Sequence, residues 1–140
     1  MRALVLLVTV LCAALLSGCG GGDGPDLADQ DRFFRDYVRV LNASDQDGLA
    51  RLLDAHPHGA QDAKARIAAY GGRDWDVSWS RTSEFSNMWK VTLSGTAGTD
   101  RAPVRVTETV TREGENWVMA PLDGVVPRPS GAADTTPPGG

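Results

Sequence analysis

Three hydrophobic patterns follow one another along this chain. From Ala3 to Leu16 the residues are almost continuously apolar, interrupted by Thr9 and Cys12. From Leu27 to Tyr70 apolar residues recur every three to four positions, as on one face of a helix. From Trp75 to Ala120 they alternate with polar ones, as in strands with one buried face. After Pro121 the pattern is lost, and Pro127, Pro129, Pro137 and Pro138 among Gly, Ser and Thr read as a disordered tail.

The helical part divides into three. Asp26 can cap a first helix over about Leu27–Leu41. Phe34, Val38 and Leu41 form its stripe, widened by Leu27, Phe33, Tyr37 and Val40. Its charged side reads as a solvated face, with Asp31 and Arg35 spaced for an i,i+4 pair. Ser44 is expected to open a second helix, with Asp47 completing something close to a capping box. That helix buries Leu49, Leu52 and Leu53 and stops near Ala55, because Pro57 pushes His56 out of helical geometry. A third runs over about Ala60–Tyr70 with Ala63, Ile67 and Tyr70 inward, and ends at Gly71-Gly72.

Four strands follow. Trp75, Val77 and Trp79 share one face of the first, which can extend to Phe85, and Ser86-Asn87 is a turn. Trp89, Val91 and Leu93 mark the second, and Gly95–Asp100 reads as a polar loop. The third covers about Ala102–Arg112 with Val104, Val106 and Val110 together; Glu113-Gly114 turns into the last, about Asn116–Ala120, with Trp117 and Met119 paired. The expected fold class is α+β: three N-terminal helices, then a four-stranded antiparallel meander.

The first apolar run is 14 residues long, short of the roughly 20 that span a bilayer. It ends in Leu16-Ser17-Gly18-Cys19, which resembles the lipobox of bacterial lipoproteins. The resemblance implies removal of residues 1–18 as a signal peptide and thioether-linked diacylglycerol on Cys19. Two or more acyl chains hold a protein stably at a membrane where one does not. Residues 19–25, rich in glycine, then form a flexible spacer, 26–122 the domain and 123–140 the tail. The expected location is the outer, extracytoplasmic face of the cell membrane.

Composition sharpens this picture. The mature chain has 122 residues, one domain's worth. With Cys12 in the signal and Cys19 lipidated, no cysteine pair is left for a disulfide or a thiolate metal site. A net charge of −4, more negative once Arg2 leaves with the signal, argues against nucleic acid and against charge-driven adhesion to anionic lipid. Arginine outnumbers lysine 12 to 2, which with abundant Ala and Gly suggests a GC-rich genome.

Beyond the anchor, the element order together with Phe33-Phe34-Arg35-Asp36-Tyr37, Ala68-Ala69-Tyr70-Gly71-Gly72 and Trp75-x-Val77-x-Trp79 resembles the cystatin-like, nuclear-transport-factor-2-like superfamily, and within it small actinobacterial lipoproteins. The resemblance spans about Asp29–Leu122 and implies a sheet curled around the first helix as a cone. That superfamily holds enzymes, ligand binders and scaffolds, so the fold does not carry the function. Dimerisation through the sheet face is common in it and stays open here.

Chemistry should sit where the apolar register is broken. Glu108 falls between Val106 and Val110, and Arg81 continues the line of Trp75, Val77 and Trp79. An inward carboxylate needs a cation or donors, so Arg81 and Glu108 are expected to pair, as a structural ion pair or as the lining of a pocket. Tyr37 could bring its hydroxyl to the same place. His56 and His58 lack a third ligand for zinc, with Asp54 the only nearby carboxylate, so neither metal nor cofactor is expected. The four tryptophans, Trp75, Trp79, Trp89 and Trp117, read as core, with an aromatic groove as the alternative. Asp74 and Asp76 read as a solvated outward face of the first strand, with a cation site as the alternative. No nucleophile elbow, phosphate loop, dinucleotide fingerprint or zinc-protease motif is present in the sequence. The expectation is a non-enzymatic, membrane-anchored module for a small ligand or an envelope protein, with Arg81, Glu108 and Tyr37 at its site. The alternative is a small pocket enzyme of the isomerase or dehydratase type.

Overall fold

A computed structural model of the protein describes residues 27–126. Helices α1 (Leu27–Asn42), α2 (Gln46–Leu52) and α3 (Gly59–Tyr70) precede strands β1 (Trp75–Phe85), β2 (Met88–Ala97), β3 (Ala102–Glu113) and β4 (Asn116–Met119). The strands form one antiparallel sheet in the order β1-β2-β3-β4. This is the expected α+β arrangement, with the helices ahead of the sheet. Cys19, the spacer, Asp26 and most of the tail lie outside the described residues. Among the described residues, no helix is long and apolar enough to cross a membrane.

α1 is amphipathic along most of the expected stripe, but Leu27 at its start is exposed and Val38 only half-buried. Phe33, Phe34, Tyr37, Val40 and Leu41 are buried, and Gln30 is buried with them. The inward side of the sheet supplies Trp75, Trp89, Val91, Leu93, Val110, Trp117 and Met119. Burying each such large apolar side chain stabilises the fold by about 1.5–3 kcal/mol. Trp89 and Trp117 meet edge to face with centroids 5.3 Å apart. Three of the four tryptophans are therefore core residues; Trp79 is half-buried.

Asn42, the last residue of α1, ties helix to sheet. Its side-chain amide accepts from the Trp75 N–H (2.7 Å) and donates to the Trp75 carbonyl (3.0 Å), as a neighbouring strand would.

Several expected boundaries shift. Ser44 does not cap α2; it adopts φ 51°, and Asp45 is the N-cap, its carboxylate accepting from the Gly48 N–H at 2.8 Å. α2 ends at Leu52, short of Ala55, and a turn carries the chain to Pro57. Asp31 makes no hydrogen bond with Arg35. The pairs formed along α1 are instead the i,i+3 pairs Asp29–Arg32 and Asp36–Arg39. The expected loop at Gly95 is strand, because β2 runs on to Ala97. Gly95 sits there because a Cβ at this position would run into the Asp76 carbonyl of β1. β4 is short and pairs with only Val110–Glu113 of β3.

Candidate functional site

Two groups of polar side chains stand out among the described residues, a sealed cluster and an open groove at the β1 edge. A second open depression, about 360 Å³, lies between α1, the end of α2 and the β3–β4 turn, lined by charged residues such as Asp36, Arg51 and Arg112. The cluster forms where α3 meets α1 and β3. α3 has little apolar bulk beyond Ala63, Ile67 and Tyr70, and its most buried positions include Asp62 and Arg66, one turn apart. The Arg66 guanidinium is fully buried and spends its donors on four groups. Nε donates to Asp62 Oδ2 (2.8 Å), Nη1 to Glu108 Oε1 (2.6 Å) and to the Tyr37 hydroxyl (2.8 Å), and Nη2 to the Ala120 carbonyl (2.8 Å). Tyr37 in turn donates to Glu108 Oε1 at 3.3 Å. Asp62 Oδ1 accepts the Leu122 N–H at 2.9 Å, so the cluster also holds down the chain leaving β4.

Burial pushes the Tyr37 phenol far above its ordinary range; Glu108 adds to this and Arg66 opposes it. Burial likewise pushes the Glu108 carboxyl up, against the pull of Arg66 and the Tyr37 hydrogen bond. Burial alone would lower Arg66, but the partners around it outweigh that and keep it charged.

His56 borders this cluster. Its Nε2 lies 3.6 Å from Asp62 Oδ2, and its Nδ1 accepts the His58 N–H at 3.2 Å. His58 thus meets His56 through its backbone. Among the described residues no group of three His, Cys, Asp or Glu side chains could hold a metal ion.

The groove lies between α1 and the free edge of β1. It has a volume of about 500 Å³ and is lined by Asp31, Arg35, Val77, Ser78, Trp79 and Arg81. Asp31 accepts the Trp79 indole N–H at 2.8 Å and forms an ion pair with Arg81. The Trp79 hydrogen bond, helped by Arg81 and Arg35 and opposed by partial burial, holds the Asp31 carboxyl below its ordinary value. Arg81 also donates to the Leu27 carbonyl at 3.3 Å. Arg35 is exposed over the groove and acts on Asp31 through space.

The expected Arg81–Glu108 pair does not form. Both residues do lie in one row across the sheet, Arg81 opposite Val91 and Val91 opposite Glu108. Val91 therefore separates them by two strand spacings, roughly 10 Å, and each finds a helix partner instead. Glu108 takes Arg66 from α3, and Arg81 takes Asp31 from α1. Tyr37 and Glu108 are brought together as expected; Arg81 belongs to the groove. Sequence reasoning missed Asp62, Arg66 and the role of Asp31. The available signal was that Gly59, Asp62, Arg66 and Tyr70 recur at helical spacing on a helix with too few large apolar residues to fill its inner face.

The chain matches no protein-family model, no curated protein and no solved structure.

Proposed function

We propose that this protein is a membrane-tethered binding module of the cell envelope, held by diacylglycerol on Cys19. It is non-enzymatic and uses the α1–β1 groove as its contact site. The observation that carries this reading is the contrast between the sealed cluster and the β1 groove. Tyr37, Asp62, Arg66 and Glu108 are enclosed, at 5% exposure or less, and already satisfy one another. The groove is open, about 500 Å³, within the range of sites for small ligands. It offers the half-buried Trp79 ring and the exposed Arg35 guanidinium. Those groups fit a ligand that carries an anionic group beside an apolar one, whether free or on the surface of an envelope protein. The pocket-enzyme alternative would draw on Tyr37 and Glu108, and their burial under Arg66 weighs against it. Helices followed by a four-stranded antiparallel sheet also suit the cystatin-like architecture that we propose for the domain.

Two measurements on the full chain test this. Radiolabelled palmitate should enter the wild type and the protein should sediment with membranes; Cys19→Ala should lose both properties. Native mass spectrometry of protein purified from its own host should show a small-molecule adduct that Trp79→Ala abolishes and Tyr37→Phe retains. An adduct retained by Trp79→Ala but lost in Tyr37→Phe would return the weight to the sealed cluster.

A further inference from the structure

The sheet has two unequal edges, and among the described residues one of them is the less guarded. In an antiparallel pair, successive residues alternately direct both backbone groups toward the partner strand and both away from it. At Trp75 both groups point away from β2, because the Asn42 amide binds them. By alternation, the N–H and carbonyl groups of Val77, Trp79, Arg81 and Ser83 face the free edge. On the opposite side of the sheet, the Ala120 N–H bonds the Thr109 carbonyl at 2.8 Å, so the outward groups of β3 beyond the reach of β4 belong to Pro103, Arg105 and Thr107. That edge is guarded: Pro103 has no N–H to offer, and Arg105 puts a charge beside it. Proline and edge charges are the usual means of blocking strand addition. Among the described residues, the outer face of the β1 edge carries charges only near its ends, Asp76 and Glu84. Between Val77 and Ser83 its outer face presents the hydroxyls of Ser78, Ser80 and Thr82. The one charge within this stretch, Arg81, is turned to the groove and held by Asp31 of the same copy. Phe85, at 68% exposure, stands at the far end of the strand, and Leu27, at 43%, lies beside Arg81.

We infer that β1 is a pairing edge and that its occupant is a second copy of this chain, joined antiparallel about a two-fold axis at Ser80. Between Val77 and Ser83 the strand pairs with itself in this register without a like-charge contact. Val77 pairs with Ser83 and Trp79 with Arg81 of the other copy, each pair exchanging two backbone hydrogen bonds. Trp79 then faces a guanidinium on the groove side, a cation–π arrangement. On the outer side Ser80 meets Ser80, and Ser78 meets Thr82, a hydroxyl ladder. The pairing ends where each copy closes its own edge, at Trp75 with its Asn42 clamp and at the turn after Phe85. At both ends Asp76 of one copy faces Glu84 of the other, a like-charge contact that opposes pairing and confines it to Val77–Ser83, although each acid lies near a cation of its own copy, Arg101 at 4.0 Å and Lys90 at 3.7 Å. The axis runs perpendicular to the sheet, so both grooves open on one face and adjoin across the new pairing. The inference does not depend on lipidation or on ligand binding.

Ser80→Cys tests the register directly, because a non-hydrogen-bonded antiparallel pair places the two Cα atoms about 4.5 Å apart, within disulfide reach. In the full chain carrying Cys12→Ser and Cys19→Ser, residue 80 would be the only thiol. Mild oxidation should convert most of the Ser80→Cys protein to a covalent dimer, while Arg105→Cys on the guarded edge should remain monomeric. Sedimentation of the otherwise wild-type chain from micromolar to millimolar concentration should show a monomer–dimer equilibrium. Ser80→Glu should weaken it at least tenfold with an unchanged circular dichroism spectrum. A monomer throughout, with no more cross-linking at 80 than at 105, overturns the inference. A dimer that neither cross-links at 80 nor responds to Ser80→Glu uses another surface and overturns it equally.

Discussion

Arg66 on α3 donates to Glu108 on β3 at 2.6 Å, with both side chains shut away from solvent. A charge removed from water in this way is costly unless paired, and removing one partner strands the other. Arg66→Met should therefore destabilise the protein by about 3–5 kcal/mol. Arg66→Met combined with Glu108→Leu should cost clearly less than the sum of the two single changes, since the double variant leaves no buried charge of this pair unmatched. Chemical denaturation of the four proteins of this cycle measures the coupling. Strict additivity would mean that the two groups do not depend on each other.

Gln30 offers the reverse case. It is fully buried, and among the described residues neither its amide nitrogen nor its carbonyl oxygen has a hydrogen-bond partner. An amide desolvated without a partner costs about 1–3 kcal/mol in proteins. Gln30→Met, similar in length and apolar, should raise stability by about that amount, read as a higher urea midpoint at unchanged slope. A fall in the midpoint would reveal a partner for the amide.

The groove should respond to acid through Asp31. Its carboxyl is held below the ordinary value of 3.8, chiefly by the Trp79 hydrogen bond. A depressed acid stabilises the fold above its unfolded-state value, and this contribution is lost as pH falls through the lower folded-state value. Asp31 is 40% exposed, so solvent screening keeps the effect on stability small. The change should be local: the Trp79 indole N–H resonance should move as pH is lowered below 3.8. Asp31→Asn should abolish that titration. A Trp79 signal that titrates unchanged in Asp31→Asn would assign it to another group.

Gly95 should not tolerate a side chain. A Cβ there would strike the backbone of β1 at Asp76 and Val77, which cannot turn aside as a flexible side chain could. Forcing extra volume into such a site costs about 1–3 kcal/mol. Gly95→Ala should lower the thermal midpoint, whereas Gly114→Ala, where nothing lies within 4 Å of the added carbon, should show only the strain of its positive φ.

Much of the architecture was legible from local pattern. The stripe of α1, the alternation in β1 to β3 and the turns at Ser86-Asn87 and Gly114 appear at their expected positions. These depend on burying one face of a periodic element, and that period is written in the order of the residues. Even the inward place of Glu108 followed from it, as did its need for a cation. Signals that rest on a single side chain were less secure. Ser44 and Asp45 are both good capping residues, and backbone geometry chose Asp45.

The partners were another matter. Alternation told which face Arg81 and Glu108 share but not what covers that face. The approach of α1 and α3 to the sheet gave Asp31 to Arg81 and Arg66 to Glu108, across 50 and 42 residues of sequence. The same approach enclosed Tyr37 and left Trp79 beside an open groove. The sequence by itself determined the elements, their faces and the residues that needed partners, because those follow from periodicity and from the cost of an unpaired buried charge. The tertiary structure alone decided which partner each found and which polar site stayed open, because those depend on how helices pack over a sheet, and no spacing along the chain encodes that distance.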